Sequence, residues 1–251
     1  MKRLQFALLT SVLSILFIAA PAVAQARKVV ASTSWTAAIA RAAGAENVVV
    51  IAPLELKHPP EYEIKPSDLE AVKGAALVVY GGYEKFAKRL VETSGGTGTA
   101  ELKLFTDNIP MAFKAEAKKV AEKLGTVPTY EQWAVSFDSY VSAMRSRVQA
   151  AYPDKRAVVH KFLKTYVEWL GFEVVGTFGP GEPSPAVVLA LVKLKPAVVI
   201  DNYHNPSGKP VAESLKAPLV ELINFPGKGG TKSIEDVFAY NERQFTSAGK
   251  R

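Results

Sequence analysis

Short apolar runs alternate along the chain with segments whose apolar residues recur every three or four positions, a rhythm that predicts strands followed by helices. The first series reads as a strand from Lys28 to Ser32, a helix from about Trp35 to Ala43 and a strand from Val48 to Ile51. It continues with a helix opened by Pro66 and Ser67, a buried strand Ala76 to Tyr80 closed by Gly81 and Gly82, an amphipathic helix Glu84 to Glu92 and a strand Leu102 to Phe105. An Ala/Lys/Glu-rich helix from Met111 to Leu124 leads to a Gly-Thr-Val-Pro turn. Thr129 and Gln132 then read as the capping box of a long helix that Pro153 and Asp154 stop. Trp133, Phe137, Tyr140, Val141, Met144 and Val148 give this helix a single apolar stripe. The second series runs as strand Arg156 to Val159, helix Lys161 to Leu170, strand Phe172 to Phe178, helix Pro185 to Leu194, strand Ala197 to Ile200, helix Lys209 to Leu215, strand Leu219 to Ile223 and a terminal helix from about Ser233.

Such a pattern predicts an α/β fold of two lobes, each with a mostly parallel sheet flanked by helices, joined by one long rigid helix. The expected divisions are an N-terminal lobe over 27–124, the linking helix over 125–154 and a C-terminal lobe over 155–251. Residues 1–26 follow a different rule. Lys2 and Arg3 precede an apolar run from Leu4 to Ala20 that ends in small residues, the layout of a secretory signal peptide, with cleavage expected after Ala24 or Ala26.

Export narrows the chemistry, and composition narrows it further. The chain has no cysteine, which removes disulfides, thiolate ligands, a cysteine nucleophile and the lipid-attachment cysteine of a bacterial lipoprotein. A free monomer in a Gram-negative periplasm is the expected state. The formal charge is +7, or +5 once Lys2 and Arg3 leave with the signal. The basic residues lie mostly at helical spacing opposite apolar positions, so they read as solvated helix faces and no nucleic-acid partner is expected. No His-Glu-x-x-His pair, Gly-x-Ser-x-Gly elbow or phosphate-cradling glycine loop occurs, and the chain is not expected to be an enzyme.

The three histidines, His58, His160 and His204, each follow a predicted strand. Loops beyond the carboxyl ends of parallel strands form the ligand crevice of open sheets. Asp201 ends the strand before His204 and supplies a carboxylate. Neutral imidazoles plus one carboxylate suit Zn²⁺, which takes four nitrogen, oxygen or sulfur donors. His58, His160, Asp201 and His204 are therefore expected to converge on one metal ion across the cleft, with Glu84, Glu61 and Glu235 as weaker candidates.

Several segments resemble the zinc/manganese-type solute-binding proteins of ABC importers. They are KVVASTSWTAAIARAAGAENVVV, HPPEYEIKPSDLEAVKGAALVVYGG, VVHKFLKTYVEWLGFEVVGTFGPGEPSP, VVIDNYHNPSGKPVAESL and AYNERQF. The resemblance implies a two-lobed receptor with a rigid backbone helix that captures a metal and hands it to a membrane permease driven by a cytoplasmic ATPase. His160 falls on the family's second histidine ligand and Asp201 on the acidic ligand of the second lobe. In the first loop the family histidine aligns with Pro60, so His58 stands two residues early. The last acidic ligand falls near Lys232, and His204 is expected to fill that place. The extra imidazole favours zinc over manganese or ferrous iron. Metal affinity is expected to fall as pH drops through the histidine range near 6.5. Two other readings remain: a receptor of the same fold that has lost part of the metal site and binds another solute, and a zinc hydrolase.

Overall fold

A computed structural model describes residues 27–248; the signal peptide expected over 1–26 lies outside them. The first half runs β1 (Lys28–Ala31), α1 (Ser34–Ala42), β2 (Asn47–Val50), α2 (Pro66–Val72), β3 (Leu77–Tyr80), α3 (Ala87–Thr97), β4 (Ala100–Lys103) and α4 (Pro110–Leu124). After α5 (Val127–Ala151) come β5 (Arg156–His160), α6 (Lys164–Leu170), β6 (Glu173–Phe178), α7 (Pro185–Lys193), β7 (Val198–Asn202), α8 (Lys209–Leu215), β8 (Leu219–Leu222) and α9 (Ile234–Ala248). The strands form two four-stranded sheets, ordered β2-β1-β3-β4 and β6-β5-β7-β8, and every pairing is parallel. Among the described residues no helix is long and apolar enough to cross a membrane.

Both faces of each sheet are covered, which explains why the central strands read as unbroken apolar runs. Val30 and Val78 face α2 and α3, while Val158 and Val199 face α7 and α8. The opposite faces share one core: Val29, Ala31 and Val79 of the first sheet and Ala157, Val159 and Ile200 of the second join residues of α1, α4, α5 and α9. Phe238 of α9 stands at its centre, edge-on to Phe113, Phe137, Tyr166 and Trp169. Burial of one such ring stabilises the fold by about 1.5–3 kcal/mol, with a further ~0.5–1.5 kcal/mol for an aromatic pair.

Element boundaries follow local chemistry. Thr33 caps α1 in a reciprocal box with Thr36. The long helix α5 begins at Val127, before the expected Thr129 box, because Pro128 is pre-set for a first turn. Thr126 precedes it without a side-chain cap, and its hydroxyl instead donates to the Ala43 carbonyl at 2.6 Å. Helix α3 starts at Ala87, not Glu84, since the Glu84 carboxylate is spent on the turn before it: Gly81 and Gly82 donate their N–H groups at 3.0 and 2.7 Å, and Ser32 its hydroxyl.

Candidate functional site

Loops at the carboxyl ends of strands from both sheets enclose a cavity of about 410 Å³. Thr33 and Trp35 follow β1, Lys57 and His58 follow β2, Tyr83 follows β3, and Asp107 and Asn108 follow β4. From the second half come Phe162 after β5, His204 and Asn205 after β7, Asn224 and Phe225 after β8, and Asn202, the last residue of β7. This is where parallel sheets place ligands. The two sides are tied beside the cavity: the Ser34 hydroxyl donates to the Pro226 carbonyl at 2.8 Å, and Trp35 stacks on Phe225 with centroids 5.7 Å apart. On the far side of the β8 loop, Asn241 of α9 accepts the Ile223 N–H and donates to its carbonyl, both at 2.9 Å.

His204 is 5 % exposed and lies against the Phe225 ring, centroids 3.5 Å apart. Its Nδ1 is 2.6 Å from Oδ1 of Asn224. An amide oxygen only accepts, so Nδ1 carries the proton and Nε2 keeps its lone pair for a ligand. Burial, then the positive field of Lys57, His58 and Lys228, pushes this imidazole down to about 4, against the partial opposition of Asn224. His204 is thus neutral far below the expected range near 6.5, and its protonation is deferred to more acidic pH. His58 lines the same cavity from an exposed position at the entry to the turn Pro59–Glu61.

His160 and Asp201 do not join them on the cavity wall. His160 is fully buried, and its Nδ1 accepts the Phe162 N–H at 3.2 Å, which puts the ring proton on Nε2. That Nε2 has no partner and faces Gly179 and Ser207: a Cβ on Gly179 would lie 2.4 Å from it and 3.0 Å from the Ser207 hydroxyl. Burial lowers the His160 pKa, and Asp201 acts in the opposite direction. The Asp201 carboxylate accepts N–H groups from Asn202 at 2.8 Å, from Ser207 at 3.0 and 3.2 Å, and from Gly208 at 2.7 Å. Its oxygens shape the turn that carries His204.

The expected convergence of all four side chains is therefore not met. Among the described residues no group of three or more His, Cys, Asp or Glu is placed to hold a metal ion. Of the weaker candidates, Glu84 is committed to its turn and Glu235 to the indole N–H of Trp133, and Glu61 is exposed and not part of the cavity lining. Lys232 is exposed and is not part of the cavity lining.

Sequence reasoning passed over the asparagines and the lysines of the site. Asn202, Asn205 and Asn224 sit at or just after apolar strands, the same signal that drew attention to the histidines. Lys57 and Lys228 place their ammonium groups 4.9 and 4.1 Å from the centroid of Tyr203, a contact no spacing in the chain announces.

The family model described as ZnuA, zinc-uptake complex component A, periplasmic, matches residues 29–207. No curated protein matches the sequence. Solved structures do. A Mn-bound periplasmic metal binding protein from Candidatus Liberibacter asiaticus superposes with a TM-score of 0.66 at 15% identity, covering 89% of this chain and 99% of that one. The Cd-bound form of that protein gives 0.65 at the same identity and coverage. The solute-binding protein FpvC from Pseudomonas aeruginosa, in complex with Mn²⁺, gives 0.65 at 18%, covering 89% and 97%. At these identities the likeness is one of fold.

Proposed function

The chain belongs to the zinc-uptake complex component A family, and from that premise we propose that it is an exported receptor that captures a divalent transition metal, zinc first, in the cavity between its two sheets. A family of uptake-complex components is one of carriers, so the metal is cargo. In this reading an ABC permease in the inner membrane takes the ion, driven by its cytoplasmic ATPase, and the signal peptide over 1–26 delivers the protein to the periplasm. The rigid helix over 125–154 joins the lobes 27–124 and 155–251 and keeps their motion small, so release comes from loosening a ligand loop.

The observation that carries the proposal is the free Nε2 of His204, oriented by Asn224 and opening on a cavity whose other side holds His58. These two imidazoles are the direct donors. Asp201 and His160 support them, the first by fixing the turn that carries His204 and the second by its interaction with Asn205. Neutral nitrogen donors favour zinc over manganese, which prefers oxygen. Metal content of protein purified without chelator, followed by competitive titration of zinc against manganese, tests the reading. His204→Ala is expected to lower zinc affinity at least tenfold; unchanged affinity in both His204→Ala and His58→Ala would remove both residues from the site.

A further inference from the structure

A single water claims about 30 Å³ of liquid volume, and a bare dication needs room of that order; the cavity offers about 410 Å³. Zinc completes four positions, yet His58, His204 and Asp107 are the charged or imidazole donors on its wall, and no three His, Cys, Asp or Glu are placed to hold an ion together among the described residues. The rest of the wall suits organic matter: the Trp35 and Phe225 rings, and the amides of Asn108, Asn202, Asn205 and Asn224.

The charge of the site points the same way. A hollow of about 290 Å³, bounded by the loop from Pro226 to Gly230, adjoins the cavity and shares Lys57 and His204 with it. Lys57 and Lys228, both in the lining of this hollow, reach over the ring of Tyr203. Neither lysine belongs to an ion pair among the described residues. The carboxylates around this junction are Asp107 on the cavity wall, Glu55 on the wall of the hollow, and Glu221, which feels both lysines without bonding either. None of these carboxylates pairs with either ammonium, so both are free to meet a carboxylate of a ligand beside the imidazole nitrogen.

Resting on the reading of this cleft as a metal receptor site, we propose that the metal arrives as an anionic polycarboxylate chelate rather than as a free ion. The carboxylates meet Lys57 and Lys228, and the organic frame lies against Trp35 and Phe225 among the asparagine amides. His58 and Nε2 of His204 displace water from the ion's open positions. No covalent bond changes.

Zinc citrate, of net charge −1 at one zinc per trianion, is the probe. Calorimetric titration of metal-free protein compares zinc citrate with zinc buffered to the same free-ion concentration without citrate. Zinc citrate is expected to bind at least tenfold tighter. Lys57→Gln should lose at least tenfold of that affinity while gaining about twofold for citrate-free zinc, and Lys57→Arg should restore chelate binding. Equal or tighter binding of citrate-free zinc, or an unchanged chelate affinity in Lys57→Gln, overturns the chelate proposal and leaves the metal receptor standing. If the protein binds zinc, manganese and ferrous iron in neither form, the metal reading itself fails and takes the proposal with it.

Discussion

Acid should weaken this fold through His204 more than through any ordinary histidine. The folded ring titrates at about 4, whereas an unfolded chain takes up the proton near about 6.5. Between those values the unfolded state binds a proton that the folded state refuses, so stability falls as pH drops through this window and the loss is complete below about 4. At about 1.36 kcal/mol per pH unit the gap amounts to about 3 kcal/mol, and at 5 % exposure solvent screens little of it. Urea unfolding of metal-free protein at pH 7, 5.5 and 4 measures the effect, with His204→Gln as comparison because its amide can still donate to Asn224. His160 is lowered as well and contributes in the same sense, but it is present in both proteins and cancels. The wild-type protein should lose about 3 kcal/mol more than the variant between pH 7 and 4. Parallel pH profiles for the two would refute the assignment of that proton to His204.

Two further substitutions test how the site is held. Gly179→Ala should destabilise by about 2–3 kcal/mol in thermal or urea unfolding, because Gly179 has φ +72° and its new methyl would meet His160 Nε2 and Cδ2 at 2.4 and 2.5 Å; a neutral result would mean that His160 is free to turn. Asp201→Asn sets an amide N–H₂ against backbone donors that now share a carboxylate. It should cost about 2–3 kcal/mol by urea unfolding and, by loosening the turn, weaken zinc binding measured by calorimetry.

Much of the architecture was legible because burial on both faces leaves apolar runs such as Leu77–Val79 of β3 and Val198–Ile200 of β7, and the stripe of α5 recurs over about four turns from Trp133 to Val148. The ends were less so. The Thr129 and Gln132 pair has the letters of a capping box, but Pro128 had already started the helix and Thr126 had found a carbonyl across the chain. Glu84 suggested a helix start, whereas its carboxylate closes the Gly81-Gly82 turn. In the site, strand-end placement brought His58 and His204 to the cavity and left His160 buried behind it; which nitrogen each one offers was hidden. That choice depends on partners such as the Phe162 N–H for His160 and Asn224 for His204. Asp201 read as a metal ligand because an acid after an apolar strand is a common donor, yet the Asn-Pro-Ser-Gly stretch that follows bends back and occupies both oxygens with main-chain hydrogens.

The place of Phe238 bears on how such a polypeptide matures. Its ring fills the gap among residues of α4, α5 and α6, so a nascent chain that has emerged only as far as β8 still presents Phe113, Phe137 and Tyr166 as an unsealed greasy seam. Sealing that seam waits for the fifteen residues of α9.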